Sequence, residues 1–376
     1  MKFNRYVLSD LATIKYGKNQ KKVLSESGNI PIHGTGGLMG YATTALYDKP
    51  SVLIGRKGTI GKVKYVEHPF WTVDTLFYTI VNTDIVLPKY LYYVMSLIDL
   101  NNYNEGTTIP SLRTETLNRL EFDIPSLVEQ ETILSCLNPI DEKIALNNAI
   151  NNNLEQQVQA IYRSWFVNYE PFDGTKPDDW SDGTIDDLGT EIICGKTPST
   201  KKSEYYGGNT PFITIPDMHG CVYIVSTERY LSDAGVASQP KKTLPPNTVC
   251  VSCIGTAGLV TLVSEESQSN QQINSIIPKE GISVYYIYLL MQTLADTINK
   301  LGQSGSTIVN LNKTQFGKIQ VMIPSELVLQ DFDSLCRPLF DTILSNQKEN
   351  INLSELRDAL LPKLMSSELD VSDIDL

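Results

Sequence analysis

The chain has 376 residues, 41% hydrophobic and 20% charged, with 31 Lys and Arg against 43 Asp and Glu. That balance suits a globular protein of two or three domains, and a net charge of −12 excludes a chain that coats nucleic acid indiscriminately. No window approaches the ~18 apolar residues of a membrane helix, and the N-terminal "MKFNRYVLSDL" lacks the apolar segment of a signal peptide, so a cytoplasmic location and no membrane partner are expected.

Residues 1–125 carry 14 Lys and Arg against 11 Asp and Glu, a local excess that the whole-chain charge hides. The segment alternates short apolar runs with Gly and Pro, the pattern of many short strands. Its "VLIGRKGTIGKVKY" (52–65) looks at first like a nucleotide loop. A phosphate loop needs G-x-x-x-x-G-K-S/T on a strand-to-helix turn. Here five residues, not four, separate Gly55 from Gly61, Val63 stands where a hydroxyl is required, and the continuation is strand-like. A nucleotide-binding enzyme is therefore not expected. The cluster "YLYYVM" (90–95) has the spacing of a helix core.

A helical region follows over 126–170. Ile133, Leu137, Ile140, Ile144, Asn147, Asn151, Leu154, Val158, Ile161 and Trp165 recur at alternating spacings of four and three, a heptad seam. Pro139 inside it predicts a kink or break, because proline removes a backbone hydrogen bond and clashes with the preceding turn. The run "NYEPFDGTKPDDW" reads as a linker.

From there the chain repeats itself. "TTIPSLRTETLNRLEFDIPS" (107–126) matches "STIVNLNKTQFGKIQVMIPS" (306–325), 199 positions on. Gly58-Thr59-Ile60-Gly61 matches Gly255-Thr256-Ala257-Gly258 at 197, and Leu11 matches Leu188 at 177, so the second copy holds 20 extra residues between those points. A period this long marks a duplicated domain with its helix, not a solenoid. The second domain spans 171–325, and a second helical region with an acidic tail, expected to fray, spans 326–376. Its seam reads Cys336, Leu339, Ile343, Asn346, Asn350, Leu353, Arg357, Leu360 and Leu364, and Pro338 matches Pro139. Each copy places two Asn at equivalent seam positions, where a buried Asn fixes register and partner. Two such seams on one chain can pair antiparallel and act as a spacer of fixed length. That geometry suits duplex DNA, whose sites recur at set distances.

Catalytic groups are scarce. His33 lies in a Gly-rich turn and His68 beside Pro69; both read as structural or solvent-facing, and with His219 they are the only histidines. His219, Cys221, Cys250 and Cys253 have a superficial zinc spacing. "TVCVSCIG" reads as a strand, however, where positions i and i+3 face opposite ways, so buried reduced thiols and no metal are expected.

"GKTPSTKKSEYYGGNTPFITIPDM" (195–218), "LEQQVQAIYRSWFVNYEPF" (154–172), "LRDALLPKLMSSEL" (356–369), "NIPIHGTGGLMGY" (29–41) and "GRKGTIGKVKYVEHPFW" (55–71) resemble the specificity subunit of type I restriction–modification systems. The resemblance covers essentially the whole chain. It implies an α/β (α+β) fold of two duplicated target recognition domains with twisted β-sheets, separated by two long helices paired as an antiparallel coiled coil. Each domain would read one half of a split sequence in double-stranded DNA. The helices would dock two methyltransferase subunits, through Ile144, Asn147, Asn151, Leu154, Val158, Ile161 and Trp165 of the first and Ile343, Asn346, Asn350, Leu353, Leu360 and Leu364 of the second. The chain would itself be no enzyme and hold no cofactor. S-adenosylmethionine would sit in the methyltransferase, and restriction subunits would cleave unmodified DNA. The absence of an Asn-Pro-Pro-aromatic motif and of an early glycine-rich cofactor loop agrees with that.

Candidate DNA contacts are those residue types that meet phosphates and base edges. In the first copy they are Lys18, Lys21, Lys22, Arg56, Lys57, Thr59, Lys62, Thr107 and Thr108; in the second, Lys196, Thr197, Ser199, Lys201, Lys202, Thr256, Gln271, Gln272, Ser306 and Thr307. A two-domain adaptor that binds protein instead fits the repeated seams equally well but the basic, hydroxyl-rich loops less well.

Overall fold

In the computed structural model, residues 2–303 and 309–369 are described. They form two compact units, one of residues up to Glu142 together with those from Ser354 onward, the other of Lys143–Leu353.

In the first unit, strands Ala12–Tyr16, Leu76–Val81, Ser51–Gly55 and Val63–Val66 lie side by side in that order, all antiparallel. A smaller sheet pairs Ile30–Gly34 with Gly37–Ala42 and Trp71–Thr72, and a two-stranded ribbon joins Asn4–Val7 to Glu121–Ile124. The aromatic run expected as core is the helix Pro88–Ser96, and Tyr90, Leu91, Tyr93 and Met95 are buried against the sheet.

The second unit repeats this plan. Strands Gly189–Cys194, Ile273–Pro278, Val249–Ser252 and Val260–Val263 occur in the same order, and Ser181–Thr184 pairs with Gln320–Ile323. The helix Val284–Thr293 buries Tyr285, Tyr286 and Tyr288. The offsets read from sequence recur in the hydrogen bonds. Leu8 N–H donates to Leu120 O and Ile185 N–H to Ile319 O; Gly58 N–H donates to Pro110 O and Gly255 N–H to Val309 O. The extra residues fall between Cys194 and Val249. They supply, among other elements, Tyr223–Ile224, which adds a fifth strand parallel to Val260–Val263. That short edge strand is closed by a helix side chain: Gln347 accepts from Tyr223 N–H at 3.0 Å and donates to Tyr223 O at 3.3 Å, which blunts an otherwise open sheet edge.

The long helices depart from expectation. Leu127–Phe166 and Glu326–Met365 each run 40 residues without interruption, so Pro139 and Pro338 do not split either segment into a short and a long helix. A proline inside a helix costs about 3 kcal/mol or more, and packing on both flanks of each offsets it: Leu137 and Ile140 around Pro139, Cys336 and Phe340 around Pro338, all buried.

Within the second unit the helices pair antiparallel through the seam asparagines. Asn147 Nδ2 donates to Asn350 Oδ1 at 2.9 Å and to Glu349 at 2.7 Å, and Asn346 Nδ2 donates to Asn151 Oδ1 at 2.9 Å. Asn147 is fully buried and Asn151 nearly so. Val158 and Ile343 are buried seam residues of this unit, while Ile144, Leu154, Ile161, Trp165, Asn346, Asn350 and Leu353 are half-buried. In the first unit, Leu364 is buried and Leu360 half-buried against Leu134 and Leu137.

The seam is chemically uneven. In the first unit Asp141 accepts from Tyr93 Oη at 2.5 Å and pairs with Lys89 at 3.1 Å and Arg357 at 3.3 Å. The corresponding positions of the second unit are Tyr285, Phe340 and Val158, and there Tyr285 stacks on Phe340 at 4.3 Å between centroids. An ionic cluster in one unit thus corresponds to an aromatic one at the equivalent positions of its repeat.

Candidate nucleic-acid interface

Register decides which loops meet. The pairs Tyr16↔Phe77 and Gly55↔Leu76 put the ends of Ala12–Tyr16 and Ser51–Gly55 at the same sheet edge as the start of Leu76–Val81. The predicted loops 17–22 and 56–62 therefore converge on segment 71–76. Lys18 N–H donates to Thr72 O at 2.8 Å, and Arg56 N–H to Thr75 O at 2.9 Å. The loop before the helix Thr114–Asn118 joins them, since Lys57 bridges Ser111 and Leu112 N–H donates to Arg56 O. Lys18, Lys21, Lys22, Lys57, Thr59, Lys62, Thr107 and Thr108 are exposed. Arg56 is less free: its guanidinium lies 5.0 Å over the Tyr16 ring and donates to Asp74 O at 2.8 Å. Gly17 is required here, because a Cβ at that position would stand 2.0 Å from Val73 O.

The second unit assembles the equivalent edge from Cys194↔Asn274 and Ser252↔Ile273. Lys196 N–H donates to Ser269 O at 2.8 Å, the counterpart of Lys18 on Thr72. Thr197 Oγ1 bonds Gln271 Oε1 at 2.7 Å, so "GKTPSTKK" and "SNQQIN", read separately in the sequence, form one surface. Lys196, Ser199, Lys201, Lys202, Thr256 and Gln271 are exposed, with Lys202 Nζ 3.0 Å from Tyr205 Oη. Gln272 is engaged inside the fold, accepting from Asn270 at 3.0 Å and donating to Ile254 O at 3.3 Å. Ser306 and Thr307 lie outside the described residues.

The turns share geometry and differ in chemistry. Gly58 and Gly255 both have positive φ, 83° and 79°, which favours glycine. Arg56, Lys57 and Lys62 have Cys253, Ile254 and Leu259 as counterparts at the 197 offset.

Three residues that the sequence reading did not select also line this region. His33, Lys64 and Thr35 belong, with Thr59 and Lys62, to the wall of a cavity of about 350 Å³. Burial, then the charges of Lys64 and His68, hold the His33 imidazole down to a pKa of about 4. Only the smaller sheet brings it there, so no local pattern announced it.

Cys250 packs in one apolar cluster and Cys253 in another, as opposite faces of a strand require. Burial pushes both thiols up to about 12, and Cys221 likewise, which leaves them poor nucleophiles and ligands. Among the described residues no group of three or more His, Cys, Asp or Glu is placed to hold a metal. No described helix is long and apolar enough to cross a membrane.

The architecture defines a class: a duplicated mixed α/β domain, each copy followed by a long helix and carrying a matching but chemically distinct loop edge. The profile of the family described as Type I restriction modification DNA specificity domain matches residues 2–156 and again 177–330. The chain belongs to that family, the specificity subunits of type I restriction–modification systems. It is 33% identical to the type I restriction enzyme HindI specificity subunit of Haemophilus influenzae, over 82% of this chain and 84% of that one. It is 26% identical to the MjaIX specificity subunit of Methanocaldococcus jannaschii, over 88% and 80%. The crystal structure of a type I restriction–modification S subunit from M. genitalium shares the fold, with a TM-score of 0.58 and 17% identity over 97% of this chain and 96% of that one.

Proposed function

We propose that the chain is the non-catalytic DNA-reading subunit of a type I restriction–modification complex. Each domain contacts one half of a bipartite target in double-stranded DNA. The paired helices set the spacing and dock two methyltransferase subunits, which bind S-adenosylmethionine and methylate adenine; restriction subunits join the full complex and cleave unmodified DNA. The observation that carries this reading is the pair of equivalent loop edges with one backbone and two chemistries: Arg56, Lys57 and Lys62 against Cys253, Ile254 and Leu259. Two half-sites of different sequence ask for that division, because a shared fold positions and the side chains choose.

The test is DNA binding by fluorescence anisotropy, with and without the modification subunits, across salt concentrations. Affinity should rise when those subunits join. It should fall with salt by roughly 0.9 log units per contacted phosphate per log unit of salt. A salt-independent complex would contradict the reading.

A further inference from the structure

The cavity in the first unit asks for an occupant. Its wall includes His33, Thr35, Thr59, Lys62 and Lys64, and no carboxylate. His33 is only 5% exposed. Its Nδ1 lies 3.3 Å from Lys64 Nζ. An ammonium can only donate, so Nδ1 accepts and the ring proton sits on Nε2. That Nε2–H is buried and has no acceptor among the described residues, an arrangement that costs stability unless something completes it. Neither Lys62 nor Lys64 has an ion-pair partner among the described residues.

The repeat shows that the fold does not require this. The same strand registers place Ile213, Cys250, Leu259 and Thr261 where the first unit has His33, Leu53, Lys62 and Lys64. Ile213 and Cys250 are buried in an apolar cluster, with Leu259 packed against it. One unit fills the position with Ile213, Cys250, Leu259 and the buried Thr261 and places no charge there; the other lines it with donors and positive charge.

We propose that this cavity is a phosphate site and that it takes one backbone phosphate of DNA bound to the first unit. The His33 Nε2–H and the Lys62 and Lys64 ammonium groups supply the donors, beside the exposed loop 56–62. The proposal rests on the DNA-reading function above.

The test has two arms, each on wild type, His33→Gln and Lys64→Met; the two variants guard against misfolding of either. In the first, thermal unfolding of the full chain is compared in inorganic phosphate and in chloride at equal ionic strength. Phosphate should raise the wild-type midpoint, as a native-state ligand does, and the shift should vanish in both variants. In the second, the chain assembled with its modification subunits is titrated with the double-stranded DNA that the complex methylates. Lys64→Met should weaken binding about tenfold and lower the salt slope by about 0.9, the loss of one charged phosphate contact. Phosphate protection that the variants lose, with DNA binding unchanged, overturns the DNA source in favour of a free anion. No difference between wild type and variants in either arm overturns the site. A wild-type complex that binds no DNA defeats the parent reading, and the DNA source with it, and is recognised in the wild-type titration alone.

Discussion

Asp141 is the carboxylate that Tyr93, Lys89 and Arg357 share, which makes Asp141→Ala the sharpest probe of how the second long helix is held in the first unit. The Asp141, Lys89 and Arg357 side chains are 23%, 21% and 25% exposed. Desolvation opposes the ionised carboxylate, yet the bonds from Tyr93 and Lys89, the Lys89 charge and the bond from Arg357 keep its pKa below the ordinary value. Truncation strands the Lys89 ammonium and the Tyr93 hydroxyl, and leaves Arg357 only its pair with the exposed Asp358, at 2.8 Å. Removing one partner of a fully buried pair costs about 3–5 kcal/mol; water reaching a quarter of each group lowers that to about 2–3 kcal/mol. Asp141→Asn keeps an acceptor for Tyr93 and should cost about 1 kcal/mol less. Urea denaturation gives the stability change, and hydrogen exchange should place it in peptides of residues 2–142 and 354–369. If Asp141→Ala lies within about 0.5 kcal/mol of wild type, or equals Asp141→Asn, the cluster does not hold the helix as argued.

Further expectations follow from the same contacts. Asn350→Leu alone should destabilise the chain by about 1–2 kcal/mol, because it leaves buried Asn147 short of a partner. Asn147→Leu with Asn350→Leu should recover that loss in thermal melts; a double variant less stable than the single one would refute the pairing. His33 has a folded pKa of about 4 against an ordinary 6.5. The unfolded chain therefore takes up the proton first, so stability falls as pH drops from about 6.5 to about 4 and then levels, by at most about 3 kcal/mol. His33→Gln should flatten that part of the curve in urea titrations at several pH values. Cys250, Cys253 and Cys336, buried with raised pKa values, should resist a maleimide at neutral pH until the chain unfolds; rapid native labelling would contradict their packing.

Much of the architecture was legible because duplication leaves a trace that needs no alignment. The 177, 197 and 199 offsets reappear as matching hydrogen bonds from Leu8 and Ile185 and from Gly58 and Gly255. The heptad seam showed as Asn147 and Asn151 opposite Asn350 and Asn346. Pro139 and Pro338 misled, because local propensity was set against packing that only the fold supplies. The loop edges could be named as candidates, but not their internal commitments. Arg56 on Tyr16, Gln272 under Ile254 and the His33 cavity all depend on strand register between segments far apart in sequence.

The division of labour between the two units is tested most directly by adenine methylation. The chain would be expressed with a type I methyltransferase subunit, as wild type and as Arg56→Ala/Lys57→Ala, and methylated adenines mapped across the host genome. The account predicts a bipartite motif for wild type and, for the variant, weakened or relaxed recognition confined to one half, with the spacer unchanged. No methylation by the wild-type pair, or equal loss at both halves in the variant, would contradict it.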